Sequence, residues 1–229
     1  MKESFAREEI CRVGHSLFQR GYVHATAGNI SVQLDASDGG GFLITPSDAC
    51  LGFLDPATLS RLDANGQHIS GDKASKTIAL HRQIYAASAA TAAPARCVIH
   101  SHSSHCVALS LQTPIAADLG PELLPALTPY FVMKVGHVPL IAYQRPGDPK
   151  VAKTVAEAIA AYAARATPIR AVMLERLGPN VWHDSPAAAM AALEELEETA
   201  KLWLLNRQQA APLAEAQIEE LHQTFGAVW

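Results

Sequence analysis

The chain has 229 residues, 49 % of them apolar, and a formal net charge of −4 at pH 7. That length buries a sizeable core and fits one large domain or two small ones. Scattered basic residues leave no nucleic-acid footprint, and no apolar run is long enough to span a membrane, so the expected partner is a small molecule or another copy of the chain.

The segment Met1 to Arg20 is charged and amphipathic and lacks the apolar centre of a signal peptide. Four cysteines, Cys11, Cys50, Cys97 and Cys106, show no CxxC spacing and read as reduced thiols. A cytoplasmic location is expected. Residues 4–20 read as a helix with Phe5, Ile10, Val13, Leu17 and Phe18 on its apolar side, stopped by Gly21. Residues 29–34 and 41–45 read as strands joined by the turn Asp35-Ala36-Ser37-Asp38-Gly39-Gly40, and a loop with Pro46 and Pro56 follows. A helix over 75–90 ends before Pro94. A strand over 96–102 leads into a short helix. The stretch Pro114 to Pro129 holds four prolines and reads mainly as loop. Phe131–Lys134 and Val138–Tyr143 read as strands, 148–166 as a helix, and 169–175 and 179–183 as strands. The last long helix starts at Asp184 or Ser185 with Pro186 in its first turn. Its stripe is Leu193, Leu196, Ala200 and Trp203, and its acidic run Glu194-Glu195 and Glu197-Glu198 reads as a solvated face. Interleaved helices and strands predict one α/β domain over 1–229 with a mixed sheet, a core over about 4–209 and a tail over 210–229.

The chemistry centres on His100-Ser101-His102. Residues two apart on a strand share a face, so both imidazoles aim at one point and can offer two neutral nitrogens to a Zn²⁺-like ion. Four other segments carry polar groups. Gly28 and Asn29 stand at the mouth of a strand, where N–H groups and an amide can hold an anion. Thr45-Pro46-Ser47-Asp48 is a polar loop after a strand. Gly71-Asp72-Lys73-Ala74-Ser75-Lys76-Thr77 opens a helix, where the N-terminus and a lysine attract anions. Gly136-His137-Val138-Pro139 sets a lone His between two apolar segments.

In order and spacing, these motifs resemble the class II aldolase/adducin family. The likeness runs from the first helix to Leu205. It is carried by Ala27-Gly28-Asn29-Ile30-Ser31, Ile44-Thr45-Pro46-Ser47, Ser70-Gly71-Asp72-Lys73 with Ser75-Lys76, Val98 to Ser103, Thr128 to Met133, Pro139-Leu140-Ile141 with Tyr143, Arg145-Pro146-Gly147-Asp148, and Glu194 to Lys201. Within the family the decarboxylase branch is most similar. The resemblance implies an α/β fold with a central mixed, largely antiparallel sheet flanked by helices. It implies a homotetramer with sites at subunit interfaces. It also implies one divalent metal per subunit, Zn²⁺ first and Mn²⁺, Co²⁺ or Ni²⁺ as alternatives, on the His-x-His pair plus a third His. The implied activity is that of a metal-dependent carbon–carbon lyase acting on a small anionic sugar-derived substrate. Decarboxylation of a 3-oxo-tetronate (phosphate)-like acid through a metal-stabilised enediolate comes first. The alternatives are an aldolase cleaving a sugar (phosphate) or hydroxy-keto acid, and a non-catalytic adducin-like binding homologue. The Pro146-Gly147-Asp148 match disfavours an epimerase.

Three positions depart from the family pattern. Thr77 stands where the family has its acid/base Glu, Leu177 where it has the third His, and Ser47-Asp48 where it has a Ser/Thr-Gly phosphate loop. The candidate metal ligands are therefore His100, His102 and His137. The catalytic candidates are His137 and Glu175, the latter two residues before Leu177 and expected on its strand face. His81 is a weaker one, a turn after Thr77. Gly28, Asn29, Ser47, Ser75 and Lys76 are the substrate-binding candidates. His15, His24, His105 and His183 read as surface or core residues.

Overall fold

A computed structural model describes residues 1–229 apart from Pro114, Ala116 and Asp118. Pro114, the start of the proline-rich stretch read as loop, therefore lies outside the described residues. In chain order the elements are α1 (Glu3–Gln19), β1 (Asn29–Gln33), β2 (Phe42–Ile44), β3 (Ser60–Leu62), β4 (His68–Ser70), α2 (Ile78–Ser88), β5 (Cys97–His100), α3 (Ser104–Ser110), β6 (Leu119–Glu122), α4 (Pro129–Lys134), β7 (Pro139–Ile141), α5 (Pro149–Ala164), β8 (Ala171–Leu174), β9 (Gly178–His183), α6 (Pro186–Leu205) and α7 (Glu215–Phe225).

The strands form one nine-stranded sheet in the order β4-β3-β2-β1-β5-β9-β8-β7-β6. Every neighbouring pair is antiparallel except β7 and β8. This is the mixed, largely antiparallel sheet expected. One face carries Ile44, Val98, Val172 and Trp182 against α2 and α5. The other carries Ile30, Ile99, Ala171 and Val181 against α1, α3 and α6. Residues in register across antiparallel strands share a face. Asn29, His100 and Asn180, paired across β1, β5 and β9, thus all lie on the α2/α5 face.

Most elements stand where hydrophobic period and caps place them. Ser185 caps α6 by accepting from the Ala188 N–H at 3.3 Å, with Pro186 in the first turn. Phe131–Lys134 is a correction: it belongs to helix α4, not a strand. Thr128 Oγ1 accepts the Phe131 N–H at 3.1 Å and Pro129 fits the first turn, so a cap decides an apolar run too short to show its period. The short strands β3, β4 and β6 lie in stretches read as loop; β3 and β4 extend the sheet beyond β2, and β6 is its opposite edge. The acidic run of α6 is a second correction. Glu197 is only 4 % exposed. Its carboxylate accepts the N–H groups of His105 at 2.9 Å and Cys106 at 3.1 Å, which caps the start of α3. Past residue 209, α7 packs on α4, and Trp229 meets Phe131 edge-to-face with ring centroids 5.8 Å apart.

Candidate functional site

Strand directions place the site. β1 and β9 run antiparallel to β5, so the starts of β1 and β9 and the end of β5 share one edge of the sheet. His100 ends β5, and His102 follows just outside it rather than within the longer strand expected. The two rings still converge: their Nε2 atoms are 3.1 Å apart and their centroids 4.9 Å. His100 Nδ1 lies 3.1 Å from the Pro179 carbonyl oxygen. A carbonyl only accepts, so Nδ1 holds the proton and Nε2 presents its lone pair. Burial, then the neighbouring His102, pulls the His100 pKa down to about 3. His102 is lowered as well, by burial and then by His24. Both imidazoles are therefore neutral at pH 7, the form that binds a metal.

Two glycines grip the end of β5. A Cβ on Gly28 would lie 2.9 Å from the His100 carbonyl oxygen and 2.7 Å from Val23 Cγ1, and its φ is +84°. A Cβ on Gly178 would collide with the Ser101 carbonyl oxygen. Chain on both sides of the pair thus approaches closer than any side chain permits.

The polar groups around the pair are under-satisfied. Asn29 donates from Nδ2 to Thr77 Oγ1 at 3.2 Å, but its Oδ1 has no partner. Asn180, fully buried opposite His100, has neither amide atom paired, and Ser101 and Ser103 have unpaired hydroxyls. Ser75 Oγ reaches Thr77 Oγ1 at 3.4 Å at the start of α2, and Lys76 beside it is exposed. One turn along α2, buried His81 bonds Ser31 Oγ through Nδ1 at 2.7 Å while its Nε2 is unpaired. Each orphaned buried group costs about 1–3 kcal/mol, which a polar ligand would relieve.

Ser47 is close to this segment, since its N–H bonds the Lys73 carbonyl at 2.8 Å. Its hydroxyl, however, donates to Asp48 at 2.9 Å. The adjoining cavity of about 520 Å³ is lined by Asp48, Asp55 and Asp72 against one cation, Lys73. That balance favours no anion.

The other two candidates stand apart from the pair. His137 precedes β7, which runs parallel to β8 and hence to β5. It sits at the opposite edge of the sheet, three strand spacings or about 14 Å to the side. There it lies 3.2 Å from Glu122 and stacks on Trp229 with centroids 4.4 Å apart. It can serve the pair only from another copy of the chain. Glu175 is at the correct edge, but 175–177 is a hairpin turn, not strand, so alternation does not put it on the face of Leu177. Leu177 packs into the α2/α5 core, while the Glu175 carboxylate accepts the Tyr143 N–H at 2.8 Å and pairs with Arg176 at 3.4 Å.

Two neighbours of the pair escape sequence reasoning. Asn180 had one signal, an amide inside the apolar stretch that runs on through Val181 and Trp182. His24 had none: its ring meets His102 edge-on, centroids 6.2 Å apart, only because the loop before β1 folds over the end of β5.

Two Nε2 atoms bound to one tetrahedral ion at about 2.0–2.1 Å stand about 3.3 Å apart. The observed 3.1 Å fits such a pair. Among the described residues no group of three or more His, Cys, Asp or Glu is placed to hold an ion. The residues thus fit a metal through two ligands, with a third to be supplied.

Residues 8–204 match the family described as the Class II Aldolase and Adducin N-terminal domain. The chain is 50 % identical over 232 residues to the 3-oxo-tetronate 4-phosphate decarboxylase of Cupriavidus necator, covering 99 % of each. It is 39 % identical over 220 residues to the protein of that name in Escherichia coli K12, covering 96 % of each. Among solved structures, YgbL of Escherichia coli superposes with a TM-score of 0.80 at 38 % identity, over 96 % of this chain and 98 % of that one. The L-fuculose-1-phosphate aldolase of Thermus thermophilus gives 0.70 at 28 %, over 91 % and 98 %.

Proposed function

The chain belongs to the class II aldolase and adducin family, and from that premise we propose that it is a carbon–carbon lyase that removes CO₂ from a small 3-oxo sugar acid of the 3-oxo-tetronate 4-phosphate type. The observation that carries this reading is the His100–His102 pair, with Nε2 atoms converging to 3.1 Å, set among the unpaired amides of Asn29 and Asn180. A divalent metal on these two nitrogens, Zn²⁺ first, supplies Lewis-acid polarisation of a substrate carbonyl.

The chain's own groups do the rest. Pro179 fixes the His100 tautomer. Asn29 and Asn180 offer hydrogen bonds to substrate oxygens beside His100, and Ser75, Lys76 and the start of α2 receive the anionic end. In the reaction the bond from the α-carbon to the carboxylate breaks, its electron pair moves toward the neighbouring carbonyl, and CO₂ leaves. A proton then returns to that carbon. His137 of a second copy is our choice for the proton carrier, which makes the active unit an oligomer, as a homotetramer with shared sites would be. Glu175 is the alternative within one chain. Four free cysteines suit a cytoplasmic enzyme, and among the described residues no helix is long and apolar enough to cross a membrane.

The test supplies 3-oxo-tetronate with and without its 4-phosphate and measures CO₂, and in parallel supplies a 2-ketose 1-phosphate, which has the hydroxyl β to its carbonyl that aldol cleavage needs, and measures aldehyde. CO₂ release that His100→Ala reduces at least about 100-fold is expected. Aldehyde release from the ketose 1-phosphate, with no CO₂ from the 3-oxo acid, would make the protein an aldolase. Neither product from any substrate would favour a binding protein. The phosphorylated acid is expected to be the better substrate; the reverse preference would trace to the Asp48 carboxylate beside Ser47.

A further inference from the structure

A metal bound only by His100 and His102 would be held by fewer protein ligands than stable Zn²⁺ sites use, which is three or four. Glu175 is engaged by Tyr143 and Arg176. Cys106 is buried in the core on the α6 side. His24 is free: its ring is exposed, and among the described residues no group hydrogen-bonds its nitrogens.

Two imidazoles sharing one tetrahedral ion through Nε2 hold their centroids about 5 Å apart. His100 and His102 stand at 4.9 Å, and His24 and His102 at 6.2 Å, with the His24 ring edge-on at 82°. Roughly 1 Å of ring movement closes the difference, within reach of a side-chain rotation for an exposed histidine. The loop beneath it is already seated. Val23 is buried, Gly28 lies against Val23 and the His100 carbonyl, and the His24 carbonyl accepts the Ala27 N–H at 2.9 Å. Ala25 holds φ +48°, a conformation a non-glycine residue adopts only when its surroundings impose it.

We propose that His24 is the third protein ligand of the ion, closing onto the His100–His102 pair when metal binds. This rests on the reading of that pair as metal ligands. The experiment titrates the chelator-stripped full-length chain with Zn²⁺ against a chromophoric chelator and with Co²⁺, whose visible absorption reports its coordination. Wild type is compared with His24→Ala, His24→Asp and His100→Ala, with melting temperatures recorded throughout. We expect His24→Ala to melt like wild type, to lose more Zn²⁺ affinity than the roughly 10–100-fold that a supporting contact costs, and to change the Co²⁺ spectrum. His24→Asp, which keeps a ligating atom, regains part of the affinity. If His24→Ala binds both ions as wild type does, or loses affinity within that range with an unchanged spectrum, while His100→Ala abolishes binding, the His24 proposal is overturned and the pair stands. If wild type binds neither ion, both fall.

Discussion

Gly28 joins backbone conformation to site geometry in a single residue. Alanine there adds a Cβ 2.9 Å from the His100 carbonyl oxygen at φ +84°. We expect Gly28→Ala to cost about 1–3 kcal/mol of stability in urea denaturation and to weaken Zn²⁺ binding, because the end of β5 must shift. His81 adds a pH dependence. Burial, then the nearby His100, lowers its pKa from 6.5 to about 3. Above about pH 6.5 both folded and unfolded chains hold it neutral. Below that the unfolded chain takes up a proton that the folded chain refuses, so stability falls as pH drops from about 6.5 toward 3. The slope from this residue is about 1.4 kcal/mol per pH unit. Urea midpoints at about pH 7, 6 and 5 should show a shallower slope in His81→Gln, which keeps a bond to Ser31 but does not titrate. Equal slopes would mean that other groups carry the acid sensitivity.

Among the elements, α3 shows how a helix too short to stand alone is held. It follows directly on His102 and starts at Ser104, where Glu197 of α6 accepts two of its free N–H groups. We expect Glu197→Ala to cost about 2–3 kcal/mol, Glu197→Gln less, read as a fall in the unfolding midpoint. Long elements were legible because their period repeats: α1, α5 and the start of α6 all lie within about two residues of expectation. Short ones were not. β3, β4 and β6 have three or four residues each and stand only because a neighbour strand pairs with them. The run from Phe131 to Lys134 reads equally as strand or helix until Thr128 caps it. The Glu197 carboxylate could not be told from its solvated neighbours, since burial depends on what α6 packs against.

For the whole molecule, the sheet separates the two halves of the proposed chemistry. The pair lies at one edge near the middle and His137 at the opposite edge, three strands away. If a site takes His100 and His102 from one copy and His137 from another, mixing inactive His100→Ala with inactive His137→Ala must restore part of the CO₂ release on subunit exchange. No recovery in mixed oligomers, with each variant folded, would leave the proton to a group of the same chain, Glu175 first.

Some properties follow from neighbouring residues alone, and the sequence determined those. The α/β character, the long helices and the family membership all rest on periods and motifs that survive without a partner. Only the tertiary structure decided what surrounds the pair. Strand order brought Asn180 opposite His100 and sent His137 to the far edge. A tight turn took Glu175 off the face its spacing suggested. The loop over β5 brought His24 to His102. These are contacts between segments distant in the chain, set by packing and register, and no local preference of His24, Asn180 or His137 encodes them.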